Sequence, residues 1–261
     1  MAPRSSPANG DPTRVRTRIT QLHIFDSKRE MGAAAGRAAG DVLRRAIAAN
    51  GRASVILASA ASQFEIIEEL VQQELDWPRV AMFHLDEYIG IPASHPASFR
   101  RFLTERFTSK APVGEVHFIE ADADDAARIC RRMGEIIRAR VVDLACIGIG
   151  ENGHIAFNEP PADFETDEPF IVVKLDEVSR RQQVGEGWYP SLDAVPTHAI
   201  SMSVREIVRA RTIVCTCPDA RKADAVMKAL EGPVTPNVPA SILRRHPDCR
   251  FYLDSASASR I

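Results

Sequence analysis

The chain has 261 residues, of which 45% are hydrophobic and 26% are charged, and its formal net charge is −2. This length supplies a substantial buried core. The near-neutral charge excludes a global attraction to nucleic acid or to an anionic membrane, so we expect neither as a partner, and a phosphate ligand requires a local basic site. Because no apolar run approaches the ~18 residues of a membrane span, we expect no transmembrane helix.

The N-terminal segment and the cysteines bear on domain limits and compartment. Residues 1–18 are rich in Pro, Ser, Gly and Arg without an apolar stretch, which predicts a disordered tail rather than a secretory signal. An arginine-rich transit peptide is the alternative interpretation of this tail. Residues 19–261 are predicted to form one domain. The five cysteines show no spaced framework, which favours a reducing compartment, and we expect a cytoplasmic protein.

Strand-like and helix-like segments alternate along the chain. Short apolar runs predict strands at residues 21–25, 54–58, 80–85, 116–119, 141–147, 170–175, 212–216 and 250–253. Amphipathic or Ala-rich runs predict helices at residues 28–50, 64–75, 98–107, 124–140 and 220–230. This alternation predicts an α/β, Rossmann-like single domain: a mainly parallel sheet with helices on both faces. Such sheets bind ligands beyond the carboxyl ends of their strands.

Two adjacent acids, Asp86 and Glu87, follow the predicted strand 80–85. In a site, one of these carboxylates could act as a general base on a carbon-bound proton. The alternative is that the pair caps the helix that follows, and this segment alone does not decide between the two.

A glycine-rich segment, GIGENGH (residues 148–154), follows the predicted strand 141–147. It matches the G-x-G-x-x-G pattern of dinucleotide sites, which requires a long helix to open at the third glycine. Pro160 and Pro161 leave no room for that helix, so we reject this interpretation. The glycines instead predict a tight loop that places His154 and Glu159 at the strand end. His154 is then a catalytic candidate, with a purely structural histidine as the alternative.

A mixed metal site is a further alternative. Its candidate ligands are His84, Asp86, Glu87, His154 and Glu159. Because the chain lacks an H-E-x-x-H motif and paired cysteines at metal-ligand spacing, we predict no metal.

The segment after residues 54–58 offers small residues at the start of a helix. Ser59, Ala60 and Ser62 precede the predicted helix, and backbone N–H groups and hydroxyls there can bind phosphate. It is not a Walker loop, and a simple N-cap turn is the alternative. Ser62 and Glu65 have the spacing of a capping box, so Ser62 is predicted to cap the helix.

Two basic pairs could also hold an anion. Arg221 and Lys222 lie at the start of a predicted helix, where cations oppose the helix dipole unless an anion is bound there. Arg180 and Arg181 could clamp a phosphate through forked hydrogen bonds. Solvation at the surface is the alternative for both pairs.

These segments together resemble one known family. The stretches FHLDEYIGIPASHPASF (residues 83–99) and GIGENGHIAFNEP (residues 148–160) are similar to the two signature motifs of glucosamine-6-phosphate deaminases. The resemblance spans roughly residues 22–253. The wider superfamily includes 6-phosphogluconolactonases and non-catalytic sugar-phosphate-sensing domains. The Asp86 and Glu159 segments favour the deaminase over the lactonase, and residues 1–18 suggest no DNA-binding helix-turn-helix, which a sensor would need.

The resemblance implies a mechanism without a metal or redox cofactor. Asp86 would move a proton between C2 and C1 of the open-chain sugar, with Glu87 supporting the site. His154 would assist ring opening, oriented by Glu159 and Asn152. The substrate would be glucosamine 6-phosphate or its galactosamine epimer, and the glucosamine compound would give fructose 6-phosphate and ammonia through an enolamine.

The resemblance also implies a phosphate site. Its members would be Lys222 and Arg180 together with the loop residues, namely Ser59, Ala60, Ser62, Gln63 and Gly153. A small-molecule sugar phosphate is therefore the expected ligand, and a homo-oligomer is possible because oligomers are frequent in the family.

Four features depart from the family pattern. Residues 60–63, AASQ, replace a common Gly-Gly-Thr-Pro loop, and the added Cβ atoms restrict backbone approach to phosphate. Asn152 stands where many members have Asp. Acids at 163, 165, 167 and 168 replace the basic residues of allosteric members, so we expect no activation by N-acetylglucosamine 6-phosphate. Residues 180–188, RRQQVGEGW, also differ from the best-known members and indicate a subfamily with an altered substrate.

Overall fold

The computed structural model describes residues 21–122 and 125–261. The tail predicted for residues 1–18 and the predicted helix start at residue 124 lie outside these ranges.

The strands belong to two sheets. They are β1 Gln21–Phe25, β2 Ala53–Leu57, β3 Val80–His84, β4 Asp86–Tyr88, β5 Glu115–His117, β6 Leu144–Ile147, β7 Phe170–Lys174, β8 His198–Met202, β9 Thr212–Cys217 and β10 Cys249–Asp254. Seven strands form one parallel sheet in the order β1-β10-β9-β6-β2-β3-β5. The other three form a small antiparallel sheet in the order β4-β8-β7. The predicted parallel α/β fold is confirmed.

Helices cover both faces of the large sheet. They are α1 Lys28–Asn50, α2 Phe64–Leu70, α3 Phe99–Leu103, α4 Ala126–Arg138, α5 Glu177–Gly185, α6 Val204–Ile207 and α7 Ala223–Glu231. The longest, α1, begins with the Ser27 hydroxyl accepting from the backbone N–H of Glu30 and ends at Gly51, whose φ is 71°. Glycine adopts that left-handed conformation without steric cost, so the chain can turn directly into β2.

The core forms two layers, one on each side of the large sheet. Successive residues of β2 alternate between them: Ile56 packs in one layer, whereas Val55 and Leu57 pack in the other. A parallel strand covered on both faces is therefore apolar at nearly every position, and only Ser54 is polar in the run SVILA of residues 54–58. A third, smaller cluster around Tyr88 and Phe157 packs beneath the antiparallel sheet.

The antiparallel sheet is the main difference from the prediction. Residues 170–175 are a strand as expected, but β7 pairs antiparallel with β8 instead of joining the parallel sheet. Strands β4 and β8 and helix α5 were not predicted. Because β4 has only three residues, two of them acidic, its pattern carries no strand signal.

The predicted capping box is wrong. Ser62 lies inside a 3-10 turn, Ala61–Gln63, and the helix begins after Gln63 without any side-chain cap. That helix also ends at Leu70, earlier than predicted.

None of the helices in the described ranges has both the length and the apolar character required to span a bilayer.

Candidate active site

A cavity of about 490 Å³ opens at the carboxyl ends of β2, β6 and β9. Six of the predicted site residues line it: Ser59, Ala60, Ser62, Asp86, His154 and Lys222. The parallel strands place these residues together because their carboxyl ends share one edge of the sheet.

Asp86 lies on the wall of this cavity at the start of β4. The residue is 6% exposed. Burial, followed by the neighbouring charge of Glu87, raises the pKa of Asp86 to about 8. A carboxyl group with a pKa near 8 can both take up and return a proton close to neutral pH, as general acid–base catalysis requires.

Glu87 does not line the cavity and faces the packed side of β4. Its carboxylate accepts hydrogen bonds from the backbone N–H groups of Phe99 and Arg100, at 3.2 and 2.9 Å, and from the Ser98 hydroxyl, at 2.8 Å. It also accepts from the Tyr88 N–H at 3.0 Å. Burial raises the pKa of Glu87, although these hydrogen bonds oppose the shift. Glu87 thus caps α3, which was the alternative weighed for the pair.

His154 is placed by two glycines in the loop after β6. A Cβ atom on Gly150 would lie 2.2 Å from the imidazole ring, so only glycine fits beside it. Gly153 has a φ of 87°, which other residues adopt at a cost. No helix opens in residues 148–160, and a cis peptide joins Pro160 to Pro161. The rejection of a dinucleotide site at this loop agrees with that geometry.

A chain of polar contacts orients His154. Its Nδ1 lies 3.1 Å from the Ser179 hydroxyl and 3.4 Å from Glu159 Oε2. The Asn152 amide donates to Glu159 Oε2 at 2.8 Å and to Asp176 Oδ2 at 3.1 Å. Burial would raise the pKa of Glu159, but contacts with His154, Ser179 and Asn152 outweigh it and lower the pKa. An ionised Glu159 can stabilise a protonated imidazole.

Asn152, Gly153 and Glu159 lie behind His154 rather than on the cavity wall. The loop that carries them is anchored to β8, where the Asn158 amide donates to the carbonyl of Met202 at 2.8 Å. Ser201 Oγ also accepts from the Phe157 N–H, at 3.1 Å.

The opposite wall of the cavity is suited to an anion. Lys222 is the N-cap residue of α7 and is 6% exposed. Arg221 pairs with Glu151 and Asp219, at 3.4 and 3.2 Å, whereas Lys222 forms no ion pair in the part of the chain that the structure describes. The buried Ser59 hydroxyl has no hydrogen-bond partner among the described residues. A phosphate here would pair with the ammonium and accept from the hydroxyl.

Besides Gly153, two other residues predicted for the phosphate site lie off the cavity wall. Gln63 is buried and its amide donates to Thr216 Oγ1 at 2.8 Å, which joins the loop to the end of β9. Arg180 is not on the cavity wall: its Nη2 donates to the carbonyls of Leu192 and Val195, at 2.6 and 3.0 Å. The structure therefore does not bring the Arg180 guanidinium to the anion wall.

The wall also contains residues that the sequence did not single out: Lys28, Phe99, Gln182, Gln183, Glu186 and Asp254. Asp254 supports the anion wall, because its carboxylate accepts from the backbone N–H of Asp219 at 3.1 Å and so holds the turn before Lys222. The sequence could have indicated Asp254 as a site residue, because it directly follows the strand predicted at residues 250–253.

No group of three or more His, Cys, Asp or Glu side chains within residues 21–122 and 125–261 is arranged to hold a metal ion. His84, one of the ligands weighed for a metal, is fully buried, and its ring nitrogens have no partner in those ranges. The absence of a metal requirement stays a prediction.

The fold and the cavity together define a class of protein. This is an α/β enzyme with a cavity lined by a buried carboxyl group, an imidazole and a buried ammonium group. The family described as glucosamine-6-phosphate isomerases/6-phosphogluconolactonase matches residues 26–251, and the chain belongs to that family.

Two relatives and two solved structures illustrate the similarity. A glucosamine-6-phosphate deaminase from Streptococcus pneumoniae serotype 4 is 34% identical over 86% of this chain and 94% of its own length. A protein of the same name from Streptococcus thermophilus is 31% identical over 87% of this chain and 95% of its own. The structure of a monomeric glucosamine-6-phosphate deaminase aligns with a TM-score of 0.84 and 27% identity, covering 93% of this chain and 100% of that one.

The second solved structure is a putative 6-phosphogluconolactonase from Neisseria gonorrhoeae. It aligns with a TM-score of 0.72 and 18% identity, covering 90% of this chain and 99% of that one. At this identity the alignment supports the shared fold alone.

Proposed function

We propose that the protein converts glucosamine 6-phosphate to fructose 6-phosphate and ammonia. One observation carries the proposal: Asp86 and His154 line the same cavity as Lys222, which has no acid partner in the described ranges. The side chains proposed for proton transfer and the side chain proposed for phosphate binding thus line one cavity. The deaminase relatives at 31% and 34% identity agree with this assignment.

The phosphate would anchor the sugar at the basic wall. Lys222 would pair with its oxygens, and the hydroxyls of Ser59 and Ser62 would donate to them. The Cβ atoms of Ala60 and Ala61 limit backbone approach, so side chains carry more of this contact than in a glycine loop. Arg221 lines the same wall and adds positive charge, although Asp219 and Glu151 offset part of it.

The chemistry would proceed by moving protons. His154, held by Glu159 and Ser179, would transfer a proton at the ring oxygen and open the sugar to its C1 aldehyde. Asp86 would take the proton from C2 to give an enolamine and return it to C1. The resulting C2 iminium would add water and release ammonia, leaving the C2 ketone. A positioned carboxylate–imidazole pair can carry out these transfers near neutral pH.

We also propose a cytoplasmic location and do not expect nucleic acid as a partner. The cytoplasmic assignment rests on the odd number and scattered spacing of the five cysteines, which favour a reducing compartment. Light scattering would establish whether the protein forms a homo-oligomer.

The direct test is an assay for fructose 6-phosphate and ammonia after incubation with glucosamine 6-phosphate, in buffer containing a chelator. We expect equal amounts of both products, and formation that is about 10³-fold slower or more with Asp86→Asn. Galactosamine 6-phosphate and 6-phosphogluconolactone are assayed in parallel. Turnover of the lactone alone would overturn the proposal in favour of a hydrolase, and loss of activity in chelator would overturn the metal-free mechanism.

A further inference from the structure

We infer that Glu186 selects substrates that carry a cationic amino group, by placing on the cavity wall a carboxylate that forms no ion pair of its own. The inference rests on the proposed function and deepens it. It assigns to Glu186 the discrimination between amino-sugar phosphates and neutral sugar phosphates.

Glu186 lies at the end of α5, the helix that was not predicted. Gln182, Gln183 and Glu186 line the cavity together. The backbone N–H of Glu186 donates to the carbonyl of Gln182 at 2.9 Å, so residue 186 continues the last helical turn. Spacings of three and four residues bring side chains to one side of a helix, which here is the side that faces the site.

Two neutral donors hold the Glu186 carboxylate in place. The Gln182 amide donates to Oε1 at 2.8 Å, and the Trp188 indole N–H donates to Oε2 at 3.2 Å. Gln182 Oε1 in turn accepts from the backbone N–H of Glu151 at 3.4 Å, which ties α5 to the loop that carries His154. The carboxylate is therefore positioned before any ligand binds, which lowers the entropic cost of recognition.

The Glu186 carboxylate has no direct ion-pair partner, although its charge is one of the smaller causes that raise the pKa of Arg221. No cationic side chain in residues 21–122 or 125–261 forms an ion pair with Glu186 within 4.0 Å. Arg221, which also lines the cavity, forms its ion pairs with Glu151 and Asp219 instead. A half-buried carboxylate held only by neutral donors attracts a cation, and the C2 ammonium of an amino sugar is the cation that the proposed substrate supplies.

Contacts place Glu186 next to the loop that carries His154. Gln182 joins the Glu186 carboxylate to the backbone N–H of Glu151 in that loop, and both Glu186 and His154 line the cavity. With phosphate at Lys222 and the ammonium towards Glu186, opposite charges at the two ends of the substrate would fix its direction in the cavity.

A neutral sugar phosphate gains nothing from this carboxylate. The penalty for removing a carboxylate from water is offset only when a cation replaces that water. Glu186 should thus favour an amino sugar through attraction and disfavour a neutral one through unrewarded desolvation.

Binding of two unreactive open-chain alcohols separates this role from catalysis. The probes are 2-amino-2-deoxyglucitol 6-phosphate and glucitol 6-phosphate, which differ in the C2 substituent, and their Kd values are measured by calorimetry. We expect the wild type to bind the amino alcohol about tenfold more tightly, as for a partly desolvated ion pair. Glu186→Gln should bring this ratio close to one, by weakening the binding of the amino alcohol and slightly tightening the binding of glucitol 6-phosphate.

Matched variants distinguish charge from structure. Glu177→Gln removes the same charge from the exposed start of α5, where Glu177 pairs with Arg181, and should keep the wild-type ratio. Glu186→Asp should retain part of the preference because its charge remains. Thermal denaturation of each variant checks that the fold is intact.

Three outcomes would overturn the inference. An unchanged ratio in Glu186→Gln, or an equal loss of affinity for both alcohols, would exclude selection by Glu186 while the proposed function stood. If the wild type bound neither alcohol, the proposed function would fail and the inference with it.

Discussion

The two faces of β4 hold neighbouring carboxylates in contrasting surroundings. Asp86 faces the cavity, whereas Glu87 is fully buried and receives hydrogen bonds from the start of α3. Successive residues of a strand point to opposite faces, so pairing of Asp86 with Ser201 and of Glu87 with Ile200 fixes which acid enters the site. Adjacent, chemically similar residues thus differ in their surroundings: one carboxyl group lines the cavity, and the other is buried in hydrogen bonds to the start of α3.

The same division exists along the His154 loop. His154 lines the cavity, while Asn152 and Glu159 lie behind it and are bonded to each other. In both places a cavity-lining group depends on a buried polar neighbour. Catalysis and stability should therefore respond differently to substitution of the two partners.

The largest expected effect is on turnover by Asp86→Asn. Asparagine keeps the shape of the side chain but cannot accept a proton from C2, so kcat should fall about 10³-fold or more. Steady-state assay of fructose 6-phosphate formation measures the effect. Unfolding temperature should not decrease, because the substitution removes a buried carboxylate. A variant that retained wild-type kcat would exclude Asp86 as the base.

The second expected effect is on stability, from Glu87→Gln. Glutamine supplies one acceptor oxygen where the carboxylate supplies two, so its amide would face backbone donors of α3. We expect a loss of about 3 kcal/mol in the free energy of unfolding, which denaturant titration measures. Comparison with Asp86→Asn sharpens the contrast: equal destabilisation by the two variants would contradict the division of roles across β4.

The third effect is on the pH dependence of activity. The pKa of Asp86 is raised to about 8, and a base must be ionised, so kcat/KM should rise with pH and level off above about 8. The charge of Glu87 is the second cause of that shift, after burial. The midpoint should therefore move to lower pH in Glu87→Gln, and a pH–rate profile that did not move would exclude coupling between the two acids.

The smallest effect is on the pH dependence of unfolding. Folding raises the pKa of Asp86 from about 4 in the unfolded state to about 8. The contribution of Asp86 to the free energy of unfolding is therefore fully present below about pH 4 and is lost as the pH rises to about 8. The unfolding temperature of Asp86→Asn relative to wild type should therefore increase across this window and then remain constant. Differential scanning calorimetry at several pH values tests this, and a difference that did not change with pH would contradict it.

Much of the fold could be predicted from local patterns. The parallel sheet can be predicted because apolar runs alternate with helices. A strand that is buried on both faces, such as β2, can be recognised from its own apolar residues. Strand β4 could not be predicted, because its three residues become a strand only by pairing with β8, more than a hundred residues later. Helix α5 has a weak apolar pattern and few buried residues, so its position over the cavity has no local signal.

Several site residues could be placed by the rule that ligands bind at strand ends. Asp86, His154 and Lys222 all follow predicted strands, and all three line the cavity. Arg180 shows the limit of this reasoning: a cation near the site suggests a phosphate ligand, but long-range packing directs its guanidinium to two backbone carbonyls.

By itself, the sequence determined the alternating α/β order and the segments that carry the site, because burial patterns and turn residues act over short distances. Tertiary structure alone decided that Asp86 enters the cavity and Glu87 caps α3, that Arg180 lies off the anion wall, and that Glu186 lines the cavity. These outcomes depend on strand pairing, burial and hydrogen bonds between segments far apart in the chain, and no local pattern contains those interactions.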